Sequence, residues 1–168
     1  MIRAGIISDT HGYLDERILK HLSDCDEIWH AGDFGNAEVA RQLQQLAPLR
    51  GVYGNIDGRD IRSLFTEDLW FGTEGLRVFM THIGGYPGRY VPRVRKLLDE
   101  KRPGLFVCGH SHILKVMPDS KRSLLHINPG AAGRNGFHKV RTLVKIEIAD
   151  GRVADLKVIE LGNRSVLS

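Results

Sequence analysis

Apolar and polar positions switch between two periods along the first third of the chain. "AGIIS" (4–8) is a short apolar run with two isoleucines, the pattern of a buried strand. "LDERILKHLSDC" (14–25) sets Leu14, Ile18, Leu19 and Leu22 at helical spacing, with charges between them. "EIWHAG" (27–32) predicts a second strand, "NAEVARQLQQL" (36–46) an amphipathic helix capped by Asn36, and "LRGVYG" (49–54) a third strand. Strand, helix, strand, helix, strand predicts a parallel sheet with crossover helices.

The second half reads differently. "LWFGTEGLRVFMTH" (69–82) predicts a hairpin turning at Thr73–Gly75, and "PRVRKLLDEK" (92–101) a helix with Pro92 near its first turn. "GLFVCGH" (104–110) is another buried strand. "HILKVMP" (112–118), "SLLHINPG" (123–130), "RTLVKIEIAD" (141–150) and "GRVADLKVIEL" (151–161) follow as strands, the last two joined by a turn at "ADGR" (149–152). The expected architecture is α/β: two packed sheets with helices outside, in one domain over 1–168.

Composition adds limits. The 168 residues are 42% hydrophobic and 26% charged, ordinary for a globular protein, and enough to bury a core without a disulfide or structural metal. No apolar run approaches the ~18 residues of a membrane span, and "MIRAGIISD" is not expected to be a secretory signal. Cys25 and Cys108 have no metal-like spacing and read as buried thiols of a reducing cytoplasm. The net charge of +4 suits an anionic substrate but is too small to indicate nucleic acid.

Chemistry gathers just past the strands. "SDTHG" (8–12) carries Asp9 and His11, "AGDFG" (31–35) Asp33, "YGNIDG" (53–58) Asn55, "MTHIGG" (80–85) His82, and "CGHSHI" (108–113) His110 and His112. Each has a bland reading alone: Asp9 or Asp33 as a helix cap, Asn55 as a turn residue, His82 as a packed core histidine. Their recurrence at five strand ends is the signal, because the carboxyl edge of an α/β sheet is where ligands bind. Residues i and i+2 of a strand share a face, so His110 and His112 could point at one ion. Seven donors are too many for one ion and suit two that share a carboxylate. Mixed nitrogen and oxygen donors fit Mn²⁺, Fe²⁺, Zn²⁺, Ni²⁺ or Co²⁺ better than Ca²⁺.

In this order "DTH" (9–11), "GD" (32–33), "GNID" (54–57), His82 and "GHSH" (109–112) resemble the signature of the calcineurin-like metallophosphoesterases. "NPGAAG" (128–133) resembles the N-P-G turn of their small prokaryotic phosphodiesterase subfamily. The resemblance implies a four-layer αββα sandwich of two mixed sheets. It implies that Asp9, His11, Asp33 and His112 hold one divalent transition-metal ion, and Asp33, Asn55, His82 and His110 the other, with Asp33 bridging and Mn²⁺ the first choice of metal. It further implies a dinuclear phosphoesterase in which a hydroxide shared by the ions attacks phosphorus, with Asn55 as a neutral ligand that also touches a phosphate oxygen.

One residue departs from the signature. Ile56 stands where the phosphatase branch has a histidine thought to protonate the leaving group. Isoleucine has no proton to give, and loss of a positioned acid typically costs about 10²–10⁴-fold. The expected substrate is therefore a small phosphodiester, or another phosphate ester with an acidic leaving group. The alternatives are a phosphomonoesterase and a non-catalytic scaffold resembling the retromer-subunit branch.

Other positions are secondary. Tyr86 and Arg89 are candidates for a pocket wall that grips phosphate, and Gly130 for a backbone N–H near the substrate. Arg93, Arg95 and Lys96 read as a solvated helix face, His30 as support for Asp33 or as a packed residue, His126 as packed or supporting, and Asp57 as a cap for the next helix. "LWF" (69–71), on an expected edge hairpin, is where a dimer or tetramer of the chain could form.

Overall fold

The computed structural model describes residues 1–165; residues 166–168, the end of the expected domain span, lie outside the described residues. The chain runs β1 (Ile2–Ile7), α1 (Glu16–Leu22), β2 (Glu27–His30), α2 (Ala37–Leu46), β3 (Leu49–Gly51), α3 (Arg59–Arg62), β4 (Asp68–Thr73) and β5 (Leu76–Thr81). It continues through α4 (Pro92–Lys101), β6 (Leu105–Val107), β7 (Lys115–Asp119), β8 (Leu124–Asn128), β9 (Val140–Ala149) and β10 (Arg152–Asn163).

The strands form two five-stranded sheets, ordered β10-β9-β1-β2-β3 and β4-β5-β6-β8-β7. Each contains a parallel trio, β1-β2-β3 in one and β5-β6-β8 in the other. Antiparallel hairpins complete them: β9–β10 in the first, β4–β5 and β7–β8 in the second.

The period-two alternation of each strand decides which layer a side chain joins. Ile6, Trp29, Val78, Met80, Leu105, Val107, Ile127 and Val144 pack between the sheets. Their neighbours Ile7 and Ile28 turn outward onto Ile18 and Leu22 of α1 and Val39 and Leu43 of α2. On the other side Phe79 and Phe106 turn outward onto Val94 and Leu98 of α4. Three apolar layers between helices, sheet, sheet and helix make the expected αββα sandwich. Asn36 caps α2 as expected, accepting the Val39 N–H at 3.1 Å.

Three local expectations change. The strands expected over 104–110 and 112–118 stop at Val107 and begin only at Lys115, because His110 (φ 72°) and His112 (φ 63°) lie in the left-handed region, which no strand accommodates. Asp57 does not cap the following helix: Gly58 is the N-cap of α3, without a side-chain bond. "LWF" does lie on an edge strand, but its side chains are used internally. Leu69 and Phe71 pack into the inter-sheet core, and Trp70 stacks on Phe79 at 4.1 Å. Among the described residues no helix is long and apolar enough to cross a membrane.

Candidate metal centre

The two parallel trios point their carboxyl ends to the same edge of the sandwich. Loops after β1, β2 and β3 bring Asp9, His11, Asp33 and Asn55, and loops after β5 and β6 bring His82, His110 and His112. Donor atoms of Asp9, His11 and His112 lie within 4.8 Å of one another, and those of Asp33, His82 and His110 form a second such group. The two groups touch. Asp33 Oδ2 is 3.5 Å from His11 Nε2 and 3.2 Å from His82 Nε2, while Asp9 Oδ1 is 3.2 Å from His112 Nε2. Asn55 joins the second group, its Oδ1 3.0 Å from His110 Nδ1. His110 and His112 thus fall in different groups. The shared-face expectation fails because they occupy a left-handed loop, not a strand.

Close approach demands missing side chains at two points. A Cβ on Gly54 would sit 2.0 Å from Asp33 Oδ1, and one on Gly109 would sit 2.1 Å from Ser8 Oγ and 2.8 Å from Asp9 Oδ2. Both carboxylates are buried against these backbones.

The inner atoms of the cluster lack partners. Asp9 Oδ1, His11 Nε2 and His82 Nε2 are buried with no hydrogen bond. Each such atom costs about 1–3 kcal/mol unless something fills the space. Outer atoms of Asp9, Asp33, His82 and His11 are engaged. Asp9 Oδ2 accepts from Ser8 Oγ (2.7 Å) and the His110 N–H (3.1 Å), and Asp33 Oδ1 accepts the Ile56 N–H (3.0 Å). His82 Nδ1 donates to the Ala31 carbonyl (2.7 Å), which leaves Nε2 as an inward-facing acceptor. Asn135 braces His11 from behind, its amide 3.2 Å from Nδ1. Four donors held from behind, inner atoms free, and mixed N and O donors are the fit expected for divalent transition metals.

Electrostatics agree with that geometry. Burial opposes the Asp9 charge, but the surrounding His11, His112 and His82 rings overcome it and hold the carboxyl far below the usual range. Asp33 is likewise held low, by His82 against its own burial. Contact with Asp9 raises His11. Burial opposes the charge on His82, but Asp33 and Asp9 raise it on balance, whereas burial and neighbouring His82 lower His110.

Two supports were misread from sequence. Asp57 is buried and clamps the loops together: its carboxylate accepts the N–H groups of Gly54 (2.8 Å), Gly35 (2.9 Å) and Phe34 (3.2 Å). Its place three residues after Gly54 is the available signal, since a short acidic side chain bonds backbone N–H groups at that spacing. Arg93 is not merely solvated; it pairs with both oxygens of Asp68 (2.6 and 3.0 Å), tying α4 to β4. His30 meets its expected supporting place. Its Nδ1 accepts the Gly32 N–H (3.1 Å) beside Asp33 and its Nε2 meets Thr10 Oγ1 (3.0 Å), so it joins the first two loops from below.

The weaker substrate candidates divide. Tyr86 lines a cavity beside His110. Arg89 stands exposed in its turn and lines neither that cavity nor the one beside His82. The Gly130 N–H is used internally, donated to Asn128 Oδ1 at 3.0 Å.

Comparison with known proteins places this geometry. The profile of the calcineurin-like phosphoesterase superfamily domain matches residues 2–151. A probable metallophosphoesterase of Methanothermobacter thermautotrophicus is 29% identical over 134 residues, 76% of this chain and 75% of that one. A second, of Methanocaldococcus jannaschii, is 28% identical over 164 residues, 93% of this chain and 81% of that one. Among solved structures, one described as a novel archaeal phosphodiesterase superposes with a TM-score of 0.75 at 21% identity, covering 95% of this chain and all (100%) of that one. Vps29 from Entamoeba histolytica complexed with zinc gives 0.74 at 16%, covering 98% and 100%. At such identities the structural likeness speaks to the fold.

Proposed function

The chain belongs to the calcineurin-like phosphoesterase superfamily, a family of metal-dependent phosphate-ester hydrolases, and on that footing we propose that it is a dinuclear phosphodiesterase. Asp9, His11, Asp33 and His112 would hold one divalent ion, and Asp33, Asn55, His82 and His110 the other. The convergence of all seven donors, with three buried inner atoms unpartnered, supports catalysis over a scaffold role. When bound, two such ions supply a Lewis acid that lowers the pKa of water and offsets charge on the phosphoryl oxygens. Mn²⁺ is the proposed metal and the cytoplasm the proposed location, in keeping with two buried free cysteines.

The observation that carries the diester reading is Ile56. Its N–H bonds Asp33 at 3.0 Å, so it sits beside the centre, yet the residue is aliphatic and 47% exposed. A leaving oxygen there receives no proton from this position and must depart as an anion. The chain's polar groups serve binding instead. Asn55 and Arg62 border a cavity of about 350 Å³ beside His82, where Arg62 offers an anionic ester a guanidinium; Arg93 and Glu67 line the same cavity, with Arg93 already paired to Asp68.

The test is turnover by metal-stripped protein reloaded with Mn²⁺. Bis-p-nitrophenyl phosphate should be cleaved at least ~10-fold faster than p-nitrophenyl phosphate, and the rate should fall steeply as leaving-group pKa rises. Ile56→His should raise the turnover of esters with alkoxide leaving groups by about 10²-fold and leave p-nitrophenyl esters nearly unchanged. Equal mono- and diester rates with a flat leaving-group dependence would contradict the reading.

A further inference from the structure

On the His11 side of the centre a cavity of about 480 Å³ opens among His11, Tyr13, Arg134, Asn135, Arg164 and Ser165. The proposed reaction uses neither arginine. No acidic residue lines the cavity; beside the metal donor His11, its polar groups are two guanidiniums, an amide and two hydroxyls. Among the described residues no carboxylate pairs with Arg134 or Arg164. Asp15, which accepts from Tyr13, is already engaged: its Oδ2 meets Arg141 Nη1 at 2.9 Å and its Oδ1 accepts the Ile18 N–H at 3.0 Å.

Both guanidiniums are half-buried and held in place. Arg164 donates Nε–H to the His138 carbonyl at 2.8 Å, which leaves its two terminal nitrogens without a partner among the described residues. Arg134 lies 5.1 Å from the centroid of the Tyr13 ring, which Arg141 also approaches, at 5.0 Å. The loop that carries Arg134 is pinned to the metal donors. The Gly133 N–H donates to the Asp9 carbonyl at 3.1 Å, the Asn135 amide meets His11 Nδ1 at 3.2 Å, and His112 Nδ1 leaves no room for a Cβ on Gly136. Two like charges therefore line one cavity at a fixed place beside the first donor group. They repel each other, and an anion between them removes that cost.

We propose that this cavity is an anion subsite that seats a second phosphate group carried by the substrate. The substrate class is then a phosphodiester with a further phosphate on one arm, an assignment that rests on the phosphodiesterase reading of the adjoining centre. The lining selects that group. A cationic arm would meet two guanidiniums and no acid. A neutral alkyl arm would take both guanidiniums out of water without a partner. A carboxylate is planar and carries one charge, which a single guanidinium fork satisfies. A phosphate carries up to two charges and presents oxygens in several directions, which suits forks delivered from two separate segments of the chain, with Asn135 and Ser165 beside them. Arg134 and Arg164 are then specificity-determining residues outside the metal cluster.

Two measurements test this. In the first, inorganic phosphate replaces chloride at constant ionic strength in the metal-free full chain, while the Nε–H signals of Arg134 and Arg164 are followed by NMR. No turnover is involved, so the outcome is independent of the phosphodiesterase reading. Phosphate should shift both signals and chloride neither. Arg164→Gln should weaken the phosphate binding read at Arg134 by about 10-fold, and Arg164→Lys, which keeps the charge, by less. In the second, the Mn²⁺-loaded protein is given thymidine 3′-phosphate 5′-(p-nitrophenyl phosphate) or thymidine 5′-(p-nitrophenyl phosphate). KM should be about 10-fold lower for the first, with kcat within about 2-fold, and Arg134→Gln should erase the difference. Unmoved arginine signals, equal shifts with chloride, equal KM values for the two diesters, or a KM difference that survives Arg134→Gln would overturn the proposal. Shifted arginine signals without turnover of either diester would instead overturn the phosphodiesterase reading and leave the anion site standing.

Discussion

Glu74 (φ 49°) and Asp150 (φ 54°) bend the backbone into the left-handed region at one end of the sandwich; Asp9, His11, Asp33, His110 and His112 (φ 46° to 72°) do so at the other. At the first end the cause is local. Each residue precedes a glycine in a two-residue hairpin turn, and the turns brace the two sheets where the Gly151 N–H donates to the Glu74 carbonyl at 2.8 Å. At the second end bulky histidines adopt the same conformation with no hairpin to require it. Such residues cost about 1–3 kcal/mol each and persist only where surrounding structure holds them. The comparison teaches that one backbone feature has two origins, turn chemistry at one pole and convergence on a shared centre at the other.

The sharpest way to break this contrast is to remove a carboxylate from each pole. Asp33→Ala should lower diester turnover by at least ~10³-fold, as loss of a shared metal ligand does. Asp150→Ala should leave turnover within about 2-fold. A smaller loss at Asp33 than at Asp150 would dissolve the distinction.

Next in size is the clamp that keeps the site loops together. Asp57→Ala strips three backbone N–H groups of their acceptor. It should cost about 2–4 kcal/mol in denaturant unfolding, whereas Asp57→Asn, which keeps an amide oxygen, should cost less.

The poles should also differ in acid. Burial pushes His126 down to about 4. Between that value and its unfolded value near 6.5 the unfolded chain binds the extra proton, so stability rises with pH across this window. Stability is full above about pH 6.5 and falls as pH drops toward 4, by roughly 3 kcal/mol at the lower end. Unfolding midpoints of wild type and His126→Phe from pH 7 to 4.5 check this; the variant should lose that part of the slope.

The smallest effects are opposite in sign. Gly151 has φ 75°, so Gly151→Ala should cost about 1 kcal/mol with turnover unchanged. At the site the Cβ is already strained, so metal-free His112→Gly should be about 1 kcal/mol more stable than His112→Ala. Equal stabilities for the two His112 variants would mean that the left-handed loop is not strained.

What the sequence made legible follows the range of the forces involved. Strands β1, β2, β5 and β9, the cap at Asn36 and the turns at Glu74 and Asp150 rest on local pattern, and each was readable within a few residues. The seven donors were readable because each lies within five residues of the carboxyl end of a strand. The supports were not. Asp57 bonds Phe34 and Gly35 because β2 and β3 pair in parallel and bring their loops side by side. Arg93 meets Asp68 25 residues away, and the strand breaks around His110 and His112 come from convergence with Asp9 and Asp33, which no window near 110 contains. His126 sits in an apolar run like any packed histidine, and only the fold shows that both its ring nitrogens lack partners.

Asp33 stands between the two donor groups and, on the proposed function, joins them into one dinuclear centre. Mn²⁺ titration of the metal-free chain, followed by calorimetry and by electron paramagnetic resonance, tests it most directly. Two ions should bind per chain with a spin-coupled spectrum, and that coupling should be lost in Asp33→Ala. A single ion per chain, or two uncoupled ions indifferent to Asp33, would contradict it.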